Sequence, residues 1–162
     1  MLAFSPQSEE AKQYYLRCCA AANIAPARVA FIPFNPDEAI NQARYRLVNA
    51  VLDTLPFGGV NGTMEALDMG VPVVTLCGEK HGERTSYSIL SNLGVTATIA
   101  NSAEEYIRLA QRLSGDPEFY EKIKSDIKAG IVDSTFTNME AHTRNLEAAF
   151  RHALNLTMEL TN

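Results

Sequence analysis

The sequence predicts an α/β fold, a parallel, doubly wound sheet with helices on both faces. Short apolar runs of strand length alternate with longer stretches whose apolar residues recur every three or four positions. The clearest runs, such as Val71-Pro72-Val73-Val74-Thr75-Leu76, are continuous rather than alternating, as strands covered on both faces are. Strand, helix, strand in that order implies parallel units joined by right-handed crossovers.

Along the chain, Leu2-Ala3-Phe4 reads as a strand or its remnant. Glu9 to Ala22 reads as a helix with Ala11, Tyr14, Tyr15, Cys18 and Ala22 on one face, ended by Asn23 to Pro26. Val29 to Ile32 is a buried strand stopped by Pro33. Asn35 is the expected cap of the next helix, with Pro36 in its first turn and Glu38 completing a box-like spacing, and the helix is expected to run to about Val48. Ala50 to Asp53 is a strand, followed by a glycine-rich turn and a helix from about Gly62 to Met69 closed by Gly70. Val71 to Leu76 is a strand that tolerates Pro72 near its start. Glu83 to Leu93 reads as a helix and Ala97 to Ala100 as a short strand. Ser102-Ala103-Glu104-Glu105 is a capping box opening a helix through Leu113. Asp116-Pro117 starts another helix, with Phe119, Ile123 and Ile127 at four-residue spacing, and a last helix covers about Asn138 to Leu156. The expectation is one domain over residues 1–162, with C-terminal helices over about 117–156.

Composition excludes several classes. The chain has 162 residues, 46% of them hydrophobic and 20% charged, and a net charge of −5 with no basic stripe, which argues against nucleic acid as a partner. No apolar stretch reaches the roughly 20 residues of a membrane helix, and Met1 to Pro6 lacks the charge and apolar run of a signal peptide. Cys18, Cys19 and Cys77 are an odd set with two adjacent, unlike a disulfide framework. No Cys-x-x-Cys or His-x-x-x-His spacing suggests a metal, and no cofactor is expected. A reducing cytoplasm is the expected setting.

In a parallel sheet, ligands bind outside the carboxyl ends of the strands. That rule singles out three loops, Pro33 to Asp37, Leu55 to Thr63 and Cys77 to Thr85. In the second, Gly58, Gly59 and Gly62 permit positive φ and close approach of a ligand, and Asn61-Gly62-Thr63 opens a helix whose free N–H groups and dipole favour a diphosphate. A tight turn needing glycine for packing alone fits the spacing equally. No Gly-Lys-Ser/Thr follows, so it is not a P-loop. Glu65, one turn in, can accept two ribose hydroxyls or simply complement the dipole. In the third loop Lys80, His81 and Arg84 can neutralise a diphosphate, and His81 can carry a proton, although no orienting partner is evident. The plain alternative is a solvated loop. His142 and His152 read as surface residues. Asp53 ends a strand, as in phospho-accepting receiver domains, but lacks their acidic pair and is expected to hydrogen-bond loop backbone. No Gly-x-Ser-x-Gly elbow or Cys-His pairing is present.

The run from Val51 to Leu76, VLDTLPFGGVNGTMEALDMGVPVVTL, resembles glycosyltransferase family 41, which includes the O-linked N-acetylglucosamine transferases and the bacterial asparagine-glucosyltransferases. The likeness continues through Gly78-Glu79, Arg84, Leu93-Gly94, Ile99 to Ser102 and Glu104-Glu105-Tyr106, and covers roughly Ala27 to Ile131. The resemblance implies the C-terminal, Rossmann-like half of a GT-B fold, which holds a UDP-sugar. It places Asn61, Gly62 and Thr63 at the diphosphate, Glu65 at the ribose, the Pro33-Phe34-Asn35 loop facing the uracil, and Arg84 near the donor, where His81 of the same loop is a further candidate. Two departures stand out. The O-linked transferases carry His-Thr-Thr where this chain has Val60-Asn61-Gly62, which is closer to the asparagine-glucosyltransferase branch. Their diphosphate lysine has no counterpart at Pro36-Asp37-Glu38.

The resemblance implies transfer of a hexose or N-acetylhexosamine from a UDP-sugar to protein Asn, Ser or Thr, with inversion. The acceptor-binding half has no counterpart here, so the chain alone is expected to be inactive, with an N-terminal half or partner subunit completing it. A strand and helix expected before Met1 are also missing. Pairing of the flanking strands, or closure by a second subunit in a homo-oligomer, is expected to cover the exposed edges. The alternatives are a non-catalytic binding or assembly module that kept the fold and, further off, another GT-B enzyme such as a sugar-nucleotide epimerase.

Overall fold

The computed structural model describes residues 2–4, 8–134 and 137–160. They belong to two compact units, Met1–Asn49 and Ala50–Asn162. Among the described residues no helix is long and apolar enough to cross a membrane.

The first unit holds β1 (Leu2–Phe4), α1 (Glu9–Ala21), β2 (Val29–Phe31) and α2 (Glu38–Ala43), the last continued by a 3-10 turn over Arg44–Leu47. β1 and β2 pair in parallel, Leu2 opposite Val29 and Phe4 opposite Phe31. Ser8 caps α1 by accepting from the Ala11 amide at 3.2 Å, and Glu9 and Glu10 sit in the first turn where the dipole favours them. At the other end Asn23 takes a φ of 56°, and the Ile24 and Asn23 amides return to the Cys19 and Ala20 carbonyls. The buried face of α1 differs from the expected one. Cys19 is buried, while Cys18 and Tyr14 are exposed, so burial follows the Ala11-Tyr15-Cys19 row at four-residue spacing. The cap of α2 also differs. The Asn35 side chain accepts from the Asp37 amide at 2.9 Å, forming a turn around Pro36, and Asp37 is the cap, accepting from the Ile40 amide at 3.0 Å.

The second unit holds β3 (Val51–Leu52), α3 (Asn61–Asp68), β4 (Val73–Leu76), α4 (Thr85–Asn92), β5 (Ile99–Ala100), α5 (Ala103–Gly115), α6 (Pro117–Asp133) and α7 (Met139–Leu160). Its sheet has the order β3-β4-β5, all parallel, with Val51 opposite Val73 and Thr75 opposite Ile99. The described strands thus form a two-stranded sheet within the first unit and a three-stranded sheet within the second. β4 is central, and Val73, Val74 and Thr75 are buried on both faces, as its continuous apolar run predicts. It begins two residues later than expected. The Val71 amide closes α3 by bonding to the Ala66 carbonyl, and Pro72 has no N–H to give the ladder. Leu67, Leu90, Val95, Ile123 and Ile127 complete the core on the helix side.

Helix ends follow the expected chemistry. Gly70 and Gly94 take φ of 71° and 73°, and the residues after them send amides back into α3 and α4. Ser102 caps α5 through the Glu105 amide, but the returning Glu105 carboxylate takes the Asn101 amide, so the box is displaced by one residue. Asp116 caps α6 with Pro117 in its first turn. The short strand expected over Ala97 to Ala100 is shared with a 3-10 turn at Thr96–Thr98.

α6 crosses the end of α4 so closely that a Cβ on Gly130 would lie 2.2 Å from the Leu93 carbonyl oxygen, whereas one on Gly115 meets nothing within 4 Å. Gly130→Ala is therefore expected to destabilise by about 1–3 kcal/mol despite alanine's better helix propensity, with Gly115→Ala near neutral. Urea unfolding followed by circular dichroism measures both.

Candidate functional site

The site begins with Asp53, which follows β3 and is only 8% exposed. Its Oδ1 accepts from the Gly59 amide at 2.7 Å and from the Thr54 amide at 3.0 Å, and its Oδ2 accepts from the Thr75 hydroxyl at 2.7 Å. A buried carboxylate is tolerable only when donors replace its water, and these three do so. Asp53 thus bonds loop backbone, as expected from its position. On its carbonyl side it accepts from the Tyr106 hydroxyl of α5 at 2.8 Å. Burial, and then the Asp53 charge, push the Tyr106 phenol up to about 12.

The glycines of the turn serve this packing. A Cβ on Gly59 would lie 2.8 Å from Thr63 Oγ1 and 3.3 Å from Asp53 Oδ1, and one on Gly58 would lie 2.8 Å from Thr85 Oγ1. The positive φ expected here is absent: among the described residues the glycines with positive φ are Gly70 and Gly94. Close approach of the Asp53, Thr63 and Thr85 side chains is what demands glycine at 58 and 59. The Gly58 amide also bonds to the Gly82 carbonyl at 2.9 Å, stitching the turn to the next loop.

α3 starts without a side-chain cap. Val60 accepts from the Met64 amide, and the amides of Asn61, Gly62 and Thr63 take no partner among the described residues. Three N–H groups at the positive end of a helix dipole, beyond the carboxyl end of β3, form an anion-receptive face. Asn61 is exposed on it and Gly62 and Glu65 are half-buried. Thr63 packs into the protein: it is buried, and its hydroxyl lies 2.8 Å from the Ser86 hydroxyl.

The loop after β4 is organised rather than merely solvated. The Glu83 carboxylate accepts from the Glu79 and Lys80 amides at 3.0 and 3.2 Å, bonds that hold it below the usual carboxylate range. Arg84 donates to the Gly78 carbonyl at 3.0 Å, lies 3.2 Å from Cys77 Sγ, and stacks over Tyr87 with 4.4 Å to the ring centroid. His81 and Lys80 are exposed, and the His81 imidazole has no hydrogen-bond partner among the described residues. A cavity of about 310 Å³ opens where the loops after β3, β4 and β5 meet, between Leu55, Pro56, Cys77, Gly78, Asn101 and Ser102. The Pro33-Phe34-Asn35 loop follows β2 in the first unit. Phe34 is 60% exposed, and Asn35 is engaged in the turn before α2. Among the described residues no cluster of His, Cys, Asp and Glu is suited to a metal. Thr75, Ser86 and Tyr106 were not foreseen as parts of the site. Their partners lie 22, 23 and 53 residues away, and no local spacing signals such pairs.

Parallel strands alternating with helices, with the turn after β3 opening an uncapped helix, define a Rossmann-like α/β domain. The chain belongs to Glycosyl transferase family 41, whose model matches residues 1–146. It is 31% identical over 87% of its length to the probable UDP-N-acetylglucosamine–peptide N-acetylglucosaminyltransferase SPINDLY of Oryza sativa subsp. japonica. It is 27% identical over 91% of its length to the corresponding transferase of Caenorhabditis elegans. The fold matches an O-GlcNAc transferase mutant of Thermobaculum terrenum with a TM-score of 0.82 and 28% identity over 90% of this chain. The chain spans 15% and 12% of those two relatives and 28% of the solved chain. The expected family and the expected half of a GT-B fold both stand.

Asp53→Ala leaves three donors without their acceptor and is expected to cost about 3 kcal/mol or more in urea unfolding. Because the Tyr106 phenol is held neutral in the folded state, its contribution to stability is complete below about pH 10 and is lost as pH rises through about 12. In an ultraviolet titration of the phenols, a tyrosine ionising near pH 12 should be present in the wild type and absent from Tyr106→Phe.

Proposed function

We propose that residues 1–162 form the sugar-nucleotide-binding domain of a protein glycosyltransferase. The donor is a UDP-hexose or UDP-N-acetylhexosamine and the acceptor a protein Asn, Ser or Thr. The observation that carries this reading is the set of three unpartnered amides, Asn61, Gly62 and Thr63, at the start of α3 in a member of family 41. Nucleophilic attack on the anomeric carbon forms the new glycosidic bond and breaks the bond to the UDP oxygen. The amides and the helix dipole stabilise the charge that gathers on the departing diphosphate. Glu65, half-buried one turn along, accepts the ribose hydroxyls. Arg84 and His81 lie in the loop that flanks the turn, and His81, exposed and unengaged, is the more adaptable of the two toward a donor. Assignment of Pro33-Phe34-Asn35 to the uracil rests on the family resemblance alone.

The acceptor and its activating base belong to a further half of the enzyme, as the small share of each relative that this chain spans implies. Binding of donor without transfer is expected of the chain alone, in a cytoplasmic setting. The non-catalytic reading has one observation in its favour: the loop after β2 ends on Asp37, which is spent as the cap of α2, with Glu38 in that helix's first turn and no lysine between them and β2.

Calorimetric titration with UDP and UDP-N-acetylglucosamine separates the two. The donor-site reading expects saturable binding, weakened roughly tenfold by Glu65→Ala, the loss of a hydrogen bond to a charged group. Asn61→Ala should cost less, since its amide remains. Absence of binding at millimolar ligand would leave the assembly module, and affinity untouched by both substitutions would move the site away from α3.

A further inference from the structure

We infer that Ser86 is a positioning residue for the diphosphate face of α3, acting through Gly59 and Thr63. The inference rests on the donor-site reading above and names a residue to which that reading gives no role. Ser86 lies on α4, is 1% exposed, and places its hydroxyl 2.9 Å from the Gly59 carbonyl and 2.8 Å from the Thr63 hydroxyl. The proton directions follow from elementary counting. A carbonyl oxygen can only accept, so the single Ser86 proton goes to Gly59, and Thr63 must donate to Ser86.

Gly59 is thereby held on both sides. Its N–H goes to the Asp53 carboxylate at 2.7 Å, and its C=O receives the Ser86 hydroxyl. The bond to Asp53 fixes the Gly58–Gly59 peptide plane and the bond from Ser86 on α4 fixes the Gly59–Val60 plane, so the plane leading into Val60 has little freedom to rotate. Val60 is the residue from which α3 starts, and its carbonyl takes the first helical bond. The direction of the Asn61, Gly62 and Thr63 amides follows from that plane. The Thr63 end closes the loop, because Thr63 carries the third of those amides and is anchored by its own side chain to the same Ser86. Three hydroxyl and carboxylate groups thus orient amides that touch the ligand, while touching none of it themselves. Donors aimed at an anion lose their value when displaced by fractions of an ångström, so the loss of one anchor should appear in diphosphate binding first.

The test compares UDP with uridine, which lacks the diphosphate, by calorimetric titration of the full chain. Ser86→Ala is expected to weaken UDP roughly fivefold to tenfold while leaving uridine within about twofold, the size of effect that one hydrogen bond supports. Thr63→Val should do the same and Thr63→Ser should restore the wild-type ratio. The ratio of the two affinities is unaffected by partial unfolding, since both ligands draw on the same folded population. Equal losses for UDP and uridine, or no loss for either, would overturn the role of Ser86 while the donor-site reading stands. Failure of the wild type to bind UDP would overturn the donor-site reading and this inference with it.

Discussion

The Asp53 carboxylate receives the Thr54 and Gly59 amides and the Thr75 hydroxyl at the carboxyl end of the parallel sheet, and the second unit is arranged around that convergence. It joins β3 to β4 through Thr75, and β3 to the turn through Gly59. The neighbouring carbonyl joins the same point to α5 through Tyr106. A charge removed from water in this way is stable only when its donors stay in place, so the cost of burial enforces the geometry of the loop. The glycines at 58 and 59 follow from it, because a methyl group at either would collide with the side chains that make the network.

Packing supports the same point from below. β4 is buried on both faces and packs against α3, α4 and α5, with α6 against α5, and Leu67, Leu90, Ile123 and Ile127 are all within 1% of full burial. Helices that end in tight αL turns at Gly70 and Gly94 return the chain to the sheet within a few residues. The result is a buried layer beneath the loops that follow β3, β4 and β5, the arrangement that lets loop residues carry binding while the strands carry stability.

Most of the fold was legible because local rules dominate it. The continuous apolar run at Val71 to Leu76, the Ser102 and Asp116 caps, and Gly70 and Gly94 each act through residues within one turn of themselves. The errors were also local in kind. Asn35 and Asp37 are both good caps, and the turn around Pro36 decided between them. Cys18 and Cys19 are adjacent on one helix, and the position of β2 relative to α1 selected Cys19 for burial. The glycine-rich turn was found, with ligand approach and packing alone equally open, and the structure shows Gly58 and Gly59 making room for side chains.

The sequence by itself determined the α/β class, the family, and the turn at which a ligand is expected, since each is written in short-range pattern or in a contiguous run from Val51 to Leu76. Only the tertiary structure decided what each residue of that turn does. The Thr63 hydroxyl is taken by Ser86, and Asp53 gathers donors from positions up to 22 residues distant, while the first amides of α3 keep no partner among the described residues. Hydrogen bonds between side chains far apart in the chain have no local signature, because their partners meet only after the sheet and its covering helices have packed.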